Sequence, residues 1–437
     1  MRLEKINLRE AGAFASIFLD YLDQKNELTP FYRYFPSIEN FGKIINERQM
    51  PESRRLILLE VLNEEYGALE KAEKVTENIL SLQNEKTFTV TTGHQLNIFT
   101  GPLYFIFKIA TTINLAKKLK EAYPDHHFVP VYWMASEDHD FEEINHFHLF
   151  GEKYEWNTDQ KGPVGRFVPQ SLNELIDQLP EDIPLFEKAY LDSSTLADAV
   201  RMYVNDLFGH EGLLVIDADN SKLKTEFTHI IKEDIKEKNA NRIVEETNSR
   251  LKEAGYNDQA FSREINFFYI NSGRERIIEK DGKYKVNNTD LEYTQEELLS
   301  LVDMEPERFS PNVIMRPLYQ ETIMPNIAYI GGPSEIAYWL QLKDVFEHHQ
   351  LSFPLLVPRN FGMVLNKGVI KKIENTGLTP AEIFQDSHQL KAKYLEKHTN
   401  NEHYLEEERK KMLAVFDEMK EKAVAIDKTL EGYIGSE

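Results

Sequence analysis

The sequence contains no cysteine. This absence excludes disulfide bonds, a thiolate nucleophile, and zinc or iron–sulfur sites built on cysteine. The sequence also lacks an uncharged apolar run of the roughly 20 residues that a membrane-spanning helix needs, and its start, MRLEKINLREAGAF, has no apolar signal core. We therefore predict a cytoplasmic protein with no membrane partner.

Positive charge is scarce relative to negative charge. The 437 residues include 51 Lys+Arg against 73 Asp+Glu, which gives a net charge of −22. Such a field repels nucleic-acid backbones and anionic lipid surfaces, so we expect no nucleic-acid partner. Hydrophobic residues make up 41% of the chain, which is enough for a packed interior. Because a single core stops growing at roughly 250–300 residues, two or more domains are expected.

Three common sequence motifs are also missing. The chain has no GxxxxGK[ST] P-loop, no GxGxxG dinucleotide fingerprint and no GxSxG nucleophile elbow. A Walker-type ATPase, an NAD enzyme and a serine hydrolase of the elbow type therefore have no support in the sequence.

The N-terminal part is predicted to be helical and the rest to follow an α/β pattern. Residues 1–86 form the helical region, with helices over 11–22 and 52–82. From Thr87 onward, short apolar or β-branched runs alternate with helical patterns; the runs are TFTVTT, FVPVYWMAS, GLLVIDAD, NIAYIGG and FPLLVP. This alternation is typical of a mostly parallel sheet with helices on both faces, and such sheets bind ligands outside the carboxyl ends of the strands.

Two further segments stand apart from this pattern. RERIIEKDGKYKV is predicted to be a hairpin that turns at Asp281-Gly282, within a smaller inserted lobe. Near the end, apolar residues recur in steps of four and three, the spacing of a coiled-coil seam; they are Met412, Phe416, Met419, Ala423, Ile426 and Leu430. A single amphipathic helix packed on the core would give the same short pattern, so both interpretations stay open.

The first candidate site follows the first predicted strand. In Thr91-Thr92-Gly93-His94-Gln95, the glycine permits close approach to the backbone, and the following helix N-terminus attracts anions. We predict a phosphate site here, with His94 donating a hydrogen bond to a phosphate oxygen as charge develops on it. A capped turn with a hydrogen-bonded histidine is an equally compatible interpretation.

The second candidate site, Glu137-Asp138-His139-Asp140, follows the next predicted strand. Because the carboxyl ends of adjacent parallel strands meet at one edge of a sheet, we expect this cluster beside His94. Carboxylates that flank a histidine can accept a proton from an amine, hold an ammonium group or bind a divalent cation. Glu142 and Glu143 are expected to be solvated loop charges.

A metal-dependent hydrolase is an alternative for the same segment. His139, Asp140 and His146 are metal-ligand types, although the segment lacks the HExxH spacing. The paired histidines His126-His127 and His348-His349 are expected to be solvated rather than to bind a metal.

The third candidate group lies downstream. Gly331-Gly332 separates a predicted strand from a helix, so its N–H groups are predicted to form a second anion site. Arg316 is suited to bidentate binding of a carboxylate or a phosphate. The other candidates for contact with a substrate are Arg263, Glu335, Tyr338 and Arg359.

The sequence contains, in this order, the segments TTGHQ, IFTGPLYFIFK, VYWMASEDHDFEEINH, REINFFY, RPLYQE and YIGGPSEIAYWLQL. Together these six segments resemble the BshC family, to which the cysteine-adding step of bacillithiol biosynthesis is attributed. The resemblance implies a Rossmann-like core akin to the HIGH-motif nucleotidyltransferases over residues 87–380, with a small connecting region inserted at about 220–310. It also implies a helical coiled coil that starts within 381–437 and mediates a homodimer. We expect this coiled coil to be truncated at Glu437.

The resemblance further implies ligation of cysteine to the amine of glucosaminyl malate, giving bacillithiol. ATP with Mg²⁺ is the expected cosubstrate, and no protein-bound transition metal is expected. Thr91-Thr92-Gly93-His94 matches the TxGH form of the HIGH signature, whose histidine stabilises the triphosphate during adenylyl transfer. On that pattern the catalytic candidates are His94, Asp138, His139 and Asp140. The nucleotide-binding candidates are Thr92, Gly93, Gln95, Arg316, Gly331 and Gly332.

Two features depart from the family pattern. Leu96-Asn97 stands where relatives have a proline-glycine turn, and the chain has no counterpart of the KMSKS loop. The second departure leaves a non-catalytic nucleotide-binding protein as an alternative function.

Overall fold

A computed structural model describes residues 3–398 and 406–426. In these residues the strands, numbered β1 to β12 in chain order, are Thr87–His94, His127–Met134, His146–Leu149, Glu152–Glu155, Leu214–Asp217, Phe267–Ile270, Arg274–Lys280, Lys283–Val286, Glu292–Tyr293, Phe309–Pro311, Asn326–Gly331 and Leu355–Pro358. The α-helices, numbered α1 to α19 in the same way, are Leu8–Ala11, Ser16–Leu22, Ile38–Glu47, Glu52–Glu65, Glu73–Ser81, Tyr104–Ala122, Asn173–Ile176, Pro184–Asp192, Leu196–Phe208, Ser221–Thr225, Thr228–Glu237, Asn239–Glu253, Gln295–Met304, Arg316–Ile323, Pro333–Trp339, Lys343–His348, Lys367–Thr376, Ser387–His398 and Glu406–Ile426.

The chain divides into two compact units. One comprises Ala15–Gly362, and the other comprises Met1–Phe14 together with Met363–Glu437. The N-terminal helices from α2 onward belong to the larger unit because they pack on its sheet; for example, the Tyr21 hydroxyl donates a hydrogen bond of 2.7 Å to the Leu356 carbonyl. This division differs from the boundaries at 86 and 380 that the sequence suggested, and those boundaries stay a prediction.

The larger unit is built on a five-stranded parallel sheet with the strand order β12–β11–β1–β2–β5. Its central strand β1 is buried along its whole length. Two threonines of β1, Thr89 and Thr91, donate to the Asn326 side chain on β11, so the polar groups of this buried strand are satisfied. Apolar side chains of β1, β2, β11, α3 and α6 form the adjoining core. The predicted parallel α/β sheet is therefore confirmed.

The strand order creates a crevice at one edge of the sheet. From β1 the chain adds β2 and β5 on one side, and it later adds β11 and β12 on the other side. The order therefore reverses between β1 and β11, and ligands of open α/β sheets bind outside the carboxyl ends of strands at such a reversal.

A second, antiparallel sheet has the order β10–β6–β7–β8–β9. The predicted hairpin is confirmed as β7 and β8, and its turn residues Asp281 and Gly282 have φ values of 54° and 75°. Positive φ at both positions is typical of the tight turns that join twisted antiparallel strands.

Two predicted helices are interrupted. The helix predicted over 11–22 is split at Gly12, whose φ of 64° ends α1. The helix predicted over 52–82 ends at Glu65, and the hydroxyl of the next residue, Tyr66, accepts a hydrogen bond from the Val215 N–H at 2.7 Å. Farther along the chain, the Asn220 side chain caps α10, and the helical stretch that follows is divided into α10, α11 and α12.

The C-terminal part of the described chain is helical, as predicted. Met412, Phe416 and Met419 of the predicted seam lie on α19 with about half of each side chain exposed. Leu430, the last residue of that seam, lies outside the described residues. None of the described helices has both the length and the apolar character needed to cross a membrane.

Candidate active site

A cavity of about 770 Å³ lies at the carboxyl ends of β1, β2 and β11. One wall comes from the parallel sheet and from α6, α14 and α15, and the opposite wall comes from the antiparallel sheet. The polar and charged lining residues are His94, Gln95, Tyr104, Lys108, Glu137, Asp138, Gln259, Arg263, Arg274, Arg276, Ser310, Asn312, Arg316, Tyr329, Glu335 and Tyr338. The cavity therefore contains members of each of the three candidate groups that the sequence indicated, but His139, Asp140 and Gly331-Gly332 are not part of its lining.

His94 ends β1 and faces the cavity as a neutral imidazole. Its side chain is buried and packs against the rings of Tyr104 and Phe105, with both ring centroids 5.3 Å away. Burial, together with the charge of Lys108, lowers the pKa of His94 to about 3. The Asn97 amide lies 3.4 Å from Nε2; with the amide as donor, Nε2 accepts and Nδ1 carries the proton. His94 thus offers one N–H donor and no charge.

The low pKa of His94 gives a testable pH dependence of stability. The unfolded chain binds a proton at this histidine below pH 6.5, whereas the folded chain does so only near pH 3, so the stability that neutral His94 contributes is complete above pH 6.5 and is lost as the pH falls. Between pH 6 and pH 5, the wild type is expected to lose about 1 kcal/mol more unfolding free energy than His94→Asn. Urea unfolding at each pH measures this difference. An equally steep loss in both proteins would contradict the assignment, and the exposed His210→Asn serves as the control variant.

Gly93 allows an arginine and a tyrosine to reach the end of β1. A Cβ atom at this position would lie 3.3 Å from the Tyr329 hydroxyl and 3.5 Å from a guanidinium nitrogen of Arg316. Arg316 begins α14 and donates to the Gln320 side chain at 3.1 Å and to the Tyr338 hydroxyl at 3.0 Å. Because Gly93 has no side chain, the Arg316 guanidinium can lie at the end of β1, and we call this part of the cavity the Arg316 corner.

Lys108 and Glu335 form an ion pair beneath this corner. Lys108 is buried on α6, and its Nζ lies 2.6 Å from a carboxylate oxygen of Glu335 and 2.7 Å from the Gly93 carbonyl oxygen. Glu335 also accepts hydrogen bonds from the Tyr329 hydroxyl at 2.5 Å and from the Gly332 N–H at 2.8 Å. Burial acts to raise the pKa of Glu335, but Lys108 and these donors outweigh it and lower the pKa, so the carboxylate is ionised.

The predicted anion site at Gly331-Gly332 needs a correction. The Gly332 N–H donates to Glu335 within its own helix turn, and the Gly331 carbonyl accepts from the Arg359 N–H at 2.9 Å. The Gly332 N–H is thus already bonded within the protein. The side chain of Thr92 is also used internally, because its hydroxyl donates to the Ile330 carbonyl at 2.8 Å. Arg359 stacks on Tyr104 and Phe361 at the rim and is not among the cavity lining.

Asp138 lines the same cavity as Arg316 and is an ionised carboxylate. Burial acts to raise its pKa, but hydrogen bonds from His139 and Gln95 and the charge of Arg274 outweigh it and hold the pKa well below its usual range. Gln95 donates to Asp138 at 3.2 Å, and the guanidinium of Arg274 lies 3.9 Å away. Gln95 also donates to Glu143, so this exposed residue is not simply a solvated loop charge.

The neighbours of Asp138 take different positions. The backbone N–H groups of His139 and Asp140 both point to the Asp138 carboxylate, at 2.8 and 3.4 Å. The His139 ring lies beside Arg274, with 3.2 Å between Nδ1 and the guanidinium, whereas the Asp140 side chain is exposed. Among the described residues, potential ligand atoms of His139, Asp140 and His146 do not all lie within 4.8 Å of one another, so the geometry does not favour the hydrolase alternative.

A buried ion cluster anchors the start of this segment. Lys224 on α10 is buried, and its Nζ lies 2.6 Å from Glu137 and 3.1 Å from Asp219. Asp219 in turn binds Arg166 through two hydrogen bonds, at 2.5 and 2.9 Å. Burial raises the pKa of Glu137, and Lys224 opposes this effect. The cluster fixes the backbone that carries Asp138.

Two family models match the chain. The N-terminal Rossmann-like domain of the bacillithiol biosynthesis protein BshC matches residues 1–360, and the C-terminal coiled-coil domain of the same protein matches residues 362–437. The chain belongs to the BshC family. The Rossmann-like α/β fold class and the C-terminal coiled-coil domain predicted from the sequence are thereby confirmed. The likeness to HIGH-motif nucleotidyltransferases stays a prediction.

Relatives in this BshC family align over most of the chain. Proteins named "Putative cysteine ligase BshC" from Flavobacterium psychrophilum and Cytophaga hutchinsonii are 44% and 42% identical; the alignments cover 99% and 100% of this chain and 84% of each relative. The protein of the same name from Bacillus pumilus is 31% identical over 88% of this chain and 74% of its own length.

Several cavity residues of this BshC protein were not among the sequence candidates. Lys108 is the clearest case, and its signal was a lone charge in the apolar helix segment YFIFKIATTI. The sequence pattern predicts for Arg274 only a position in a hairpin. In the structure its side chain is almost fully buried and lies over the ring of Phe268, 4.0 Å from the ring centroid. Arg274 also donates to the Ser310 hydroxyl and the Pro311 carbonyl.

Proposed function

We propose that this chain catalyses the cysteine-adding step of bacillithiol biosynthesis. In this reaction the carboxyl group of cysteine forms an amide with the amine of glucosaminyl malate. The observation that carries the proposal is the pairing, within one cavity, of an ionised Asp138 with a cationic corner at Arg316 and Lys108. The family and the printed names of the relatives support the same activity.

The cationic corner is suited to activate a carboxyl group through ATP. Arg316 and the neutral N–H donor of His94 would stabilise the charge that develops on a phosphate bound in this corner, and Gly93 leaves room for close approach. Attack of the cysteine carboxylate on the α-phosphate would release pyrophosphate and leave a cysteinyl adenylate. Mg²⁺ would be held mainly by the phosphates, as is usual for this cation.

Asp138 is suited to orient the amine. A carboxylate whose pKa is held this low is a weak base, so we assign it the role of accepting N–H hydrogen bonds from the sugar amine. Attack of that amine on the activated carbonyl forms the amide and expels AMP. His139, 3.6 Å from the Asp138 carboxylate through Nδ1, is the adjacent group for taking up the released proton.

The proposed activity is tested by mass spectrometry of the purified protein with glucosaminyl malate, cysteine and Mg²⁺. We expect the condensation product, AMP and pyrophosphate in equal amounts when ATP is present. Product formed in the absence of ATP would contradict the adenylate route and would indicate a pre-activated cysteine donor that was purified together with the protein. No product under either condition would contradict the proposed function.

The antiparallel wall of the cavity is suited to bind the malate carboxylates. Arg263 and Arg276 line the cavity, and among the described residues neither guanidinium has a carboxylate within 4 Å. Replacing Arg276 by glutamine is expected to raise the KM for glucosaminyl malate about 10- to 100-fold, because a hydrogen bond to a charged group contributes about 1.5–3 kcal/mol. Steady-state kinetics with each substrate varied in turn checks this. Similar increases in the KM values for cysteine and ATP would contradict the assignment, and Arg242→Gln on α12 serves as the surface control.

We also propose that α19 forms a homodimer. Met412, Phe416 and Met419 recur at seam spacing, with exposed fractions of 62%, 46% and 52%. Phe416→Glu is expected to convert a dimer to a monomer, because the introduced charge would be buried in the seam. Light scattering coupled to gel filtration measures the mass. Ala414→Glu, on the opposite face of α19, should remain dimeric, and a wild-type monomer would contradict the proposal.

A further inference from the structure

A second cluster of chemically active side chains lies outside the cavity. It consists of Glu233 on α11 and of His348 and His349 at the end of α16, and none of the three lines the cavity. One potential ligand atom from each residue lies within 4.8 Å of the others. Within the described chain, no other group of three or more histidines and carboxylates meets this criterion.

The two imidazoles converge on one carboxylate. His348 Nε2 lies 2.6 Å from one oxygen of Glu233, and His349 Nδ1 lies 3.2 Å from the other. The side chains of consecutive helical residues point about 100° apart. His348 and His349 nevertheless reach the same carboxylate, because His348 uses Nε2, the ring nitrogen far from its backbone, and His349 uses Nδ1, the nitrogen near its backbone.

The backbone at the end of α16 fixes both rings. The Leu351 N–H donates to the Phe346 carbonyl at 2.9 Å, and the Gln350 N–H donates to the Glu347 carbonyl at 3.1 Å. Gln350 has a φ of 55°, which completes the left-handed cap of a Schellman motif. The His349 side chain is 5% exposed, so the expectation that this histidine is solvated is wrong, and the ring has little freedom to rotate away.

Glu233 has one further hydrogen-bond partner besides the histidines. Asn239, at the start of α12, donates to the Glu233 oxygen that faces His348, at 3.2 Å. Outer partners of this kind are typical of metal-binding carboxylates. Glu233 and His348 are about one third exposed, so an ion has a path into the cluster and water has access to an open position.

The geometry points to a binding site for a divalent transition metal of the zinc type, formed by Glu233, His348 and His349. Two imidazole nitrogens and one carboxylate oxygen suit Zn²⁺, whereas Mg²⁺ and Ca²⁺ prefer oxygen ligands alone. Ligand atoms about 2.1 Å from a tetrahedral zinc ion lie about 3.3 Å apart. The observed separations of 2.6 and 3.2 Å run to the two different oxygens of Glu233 and are close to this value, and one ligand atom from each residue lies within 4.8 Å of the others.

The ion would hold α11 to the end of α16. These elements are distant in sequence but belong to the same unit, and α16 precedes strand β12 of the parallel sheet. The negative end of the α16 dipole adds to the attraction for a cation. Because the three ligands lie outside the cavity, a stabilising role is expected, and the proposal does not depend on the ligase activity.

The test is metal binding by the full chain after removal of metals with a chelator. Zn²⁺ is titrated in competition with a chromophoric chelator, and Co²⁺ is added separately to record its visible absorption. We expect one ion per chain, tetrahedral Co²⁺ bands and a raised unfolding temperature with Zn²⁺. His349→Ala is expected to weaken Zn²⁺ binding about 100-fold or more, since loss of even an outer partner costs roughly 10- to 100-fold.

Two further variants keep the test decisive. Glu233→Gln removes the carboxylate but retains an amide of the same shape, so it is expected to fold and to lose the Zn²⁺-dependent rise in unfolding temperature. The double variant His146→Ala/His148→Ala removes two histidines elsewhere and should retain one ion. Wild-type protein that binds no Zn²⁺ at micromolar concentration would overturn the proposal. Retention of one tightly bound ion by folded Glu233→Gln and His349→Ala would overturn it too.

Discussion

Replacing Lys108 by methionine is expected to abolish product formation and to lower the free energy of unfolding by about 2–4 kcal/mol. The Lys108 ammonium group is buried and contacts both Glu335 and the Gly93 carbonyl. Removing one partner of a buried ion pair costs roughly 3–5 kcal/mol because the other charge is left uncompensated. Partial exposure of Glu335 reduces that cost. Urea unfolding and the mass-spectrometric product assay measure the two effects.

A double variant separates the orphaned charge from the lost side chain. In Lys108→Met/Glu335→Gln the carboxylate charge is also removed, so part of the stability is expected to return while product formation stays absent. Lys118→Met, an exposed position on the same helix, is the matched control and should change neither quantity. Wild-type stability in Lys108→Met would show that the pair contributes nothing to folding. A double variant less stable than Lys108→Met would contradict the orphaned-charge explanation.

The parallel sheet, and the proximity of the segments that contain His94 and Asp138, could be predicted from the sequence because both depend on local patterns and strand order. Apolar runs such as FVPVYWMAS identify buried strands, and the carboxyl ends of adjacent parallel strands share one edge. The pairing of β1 with β2 therefore sufficed to place His94 near Asp138. Their adjacency needed no knowledge of side-chain packing.

Other parts of the site depend on contacts that no local pattern encodes. Arg274 reaches Asp138 from the antiparallel sheet, more than 130 residues along the chain, and its role follows only from the packing of that sheet over the crevice. Gly331-Gly332 shows the opposite error. A glycine pair before a helix is typical of an anion site, but Glu335 on the first turn takes up the Gly332 N–H. The charge of Glu335 is in turn explained by Lys108, which the apolar helix pattern concealed.

Asp138→Asn is expected to separate the two halves of the proposed reaction. Adenylate formation at the Arg316 corner does not use the Asp138 carboxylate, so cysteine-dependent exchange of pyrophosphate into ATP should stay within about 3-fold of the wild type. Amide formation should fall about 10²- to 10³-fold, the usual cost of removing a preorganised group that stabilises the transition state. Glu142→Gln, an exposed neighbour, is the matched control.

The ratio of the two rates decides between roles for Asp138. An equal loss of exchange and amide formation would indicate that the carboxylate acts through the fold, by holding Gln95 and Arg274 in place. Unchanged amide formation would exclude Asp138 from orienting the amine. A selective loss of the second half-reaction with unchanged thermal stability is the expected result. It follows from a carboxylate that is kept ionised at the cavity wall, where in the proposed reaction a charged hydrogen-bond acceptor would bind an incoming amine and would contribute little to activation of the acid.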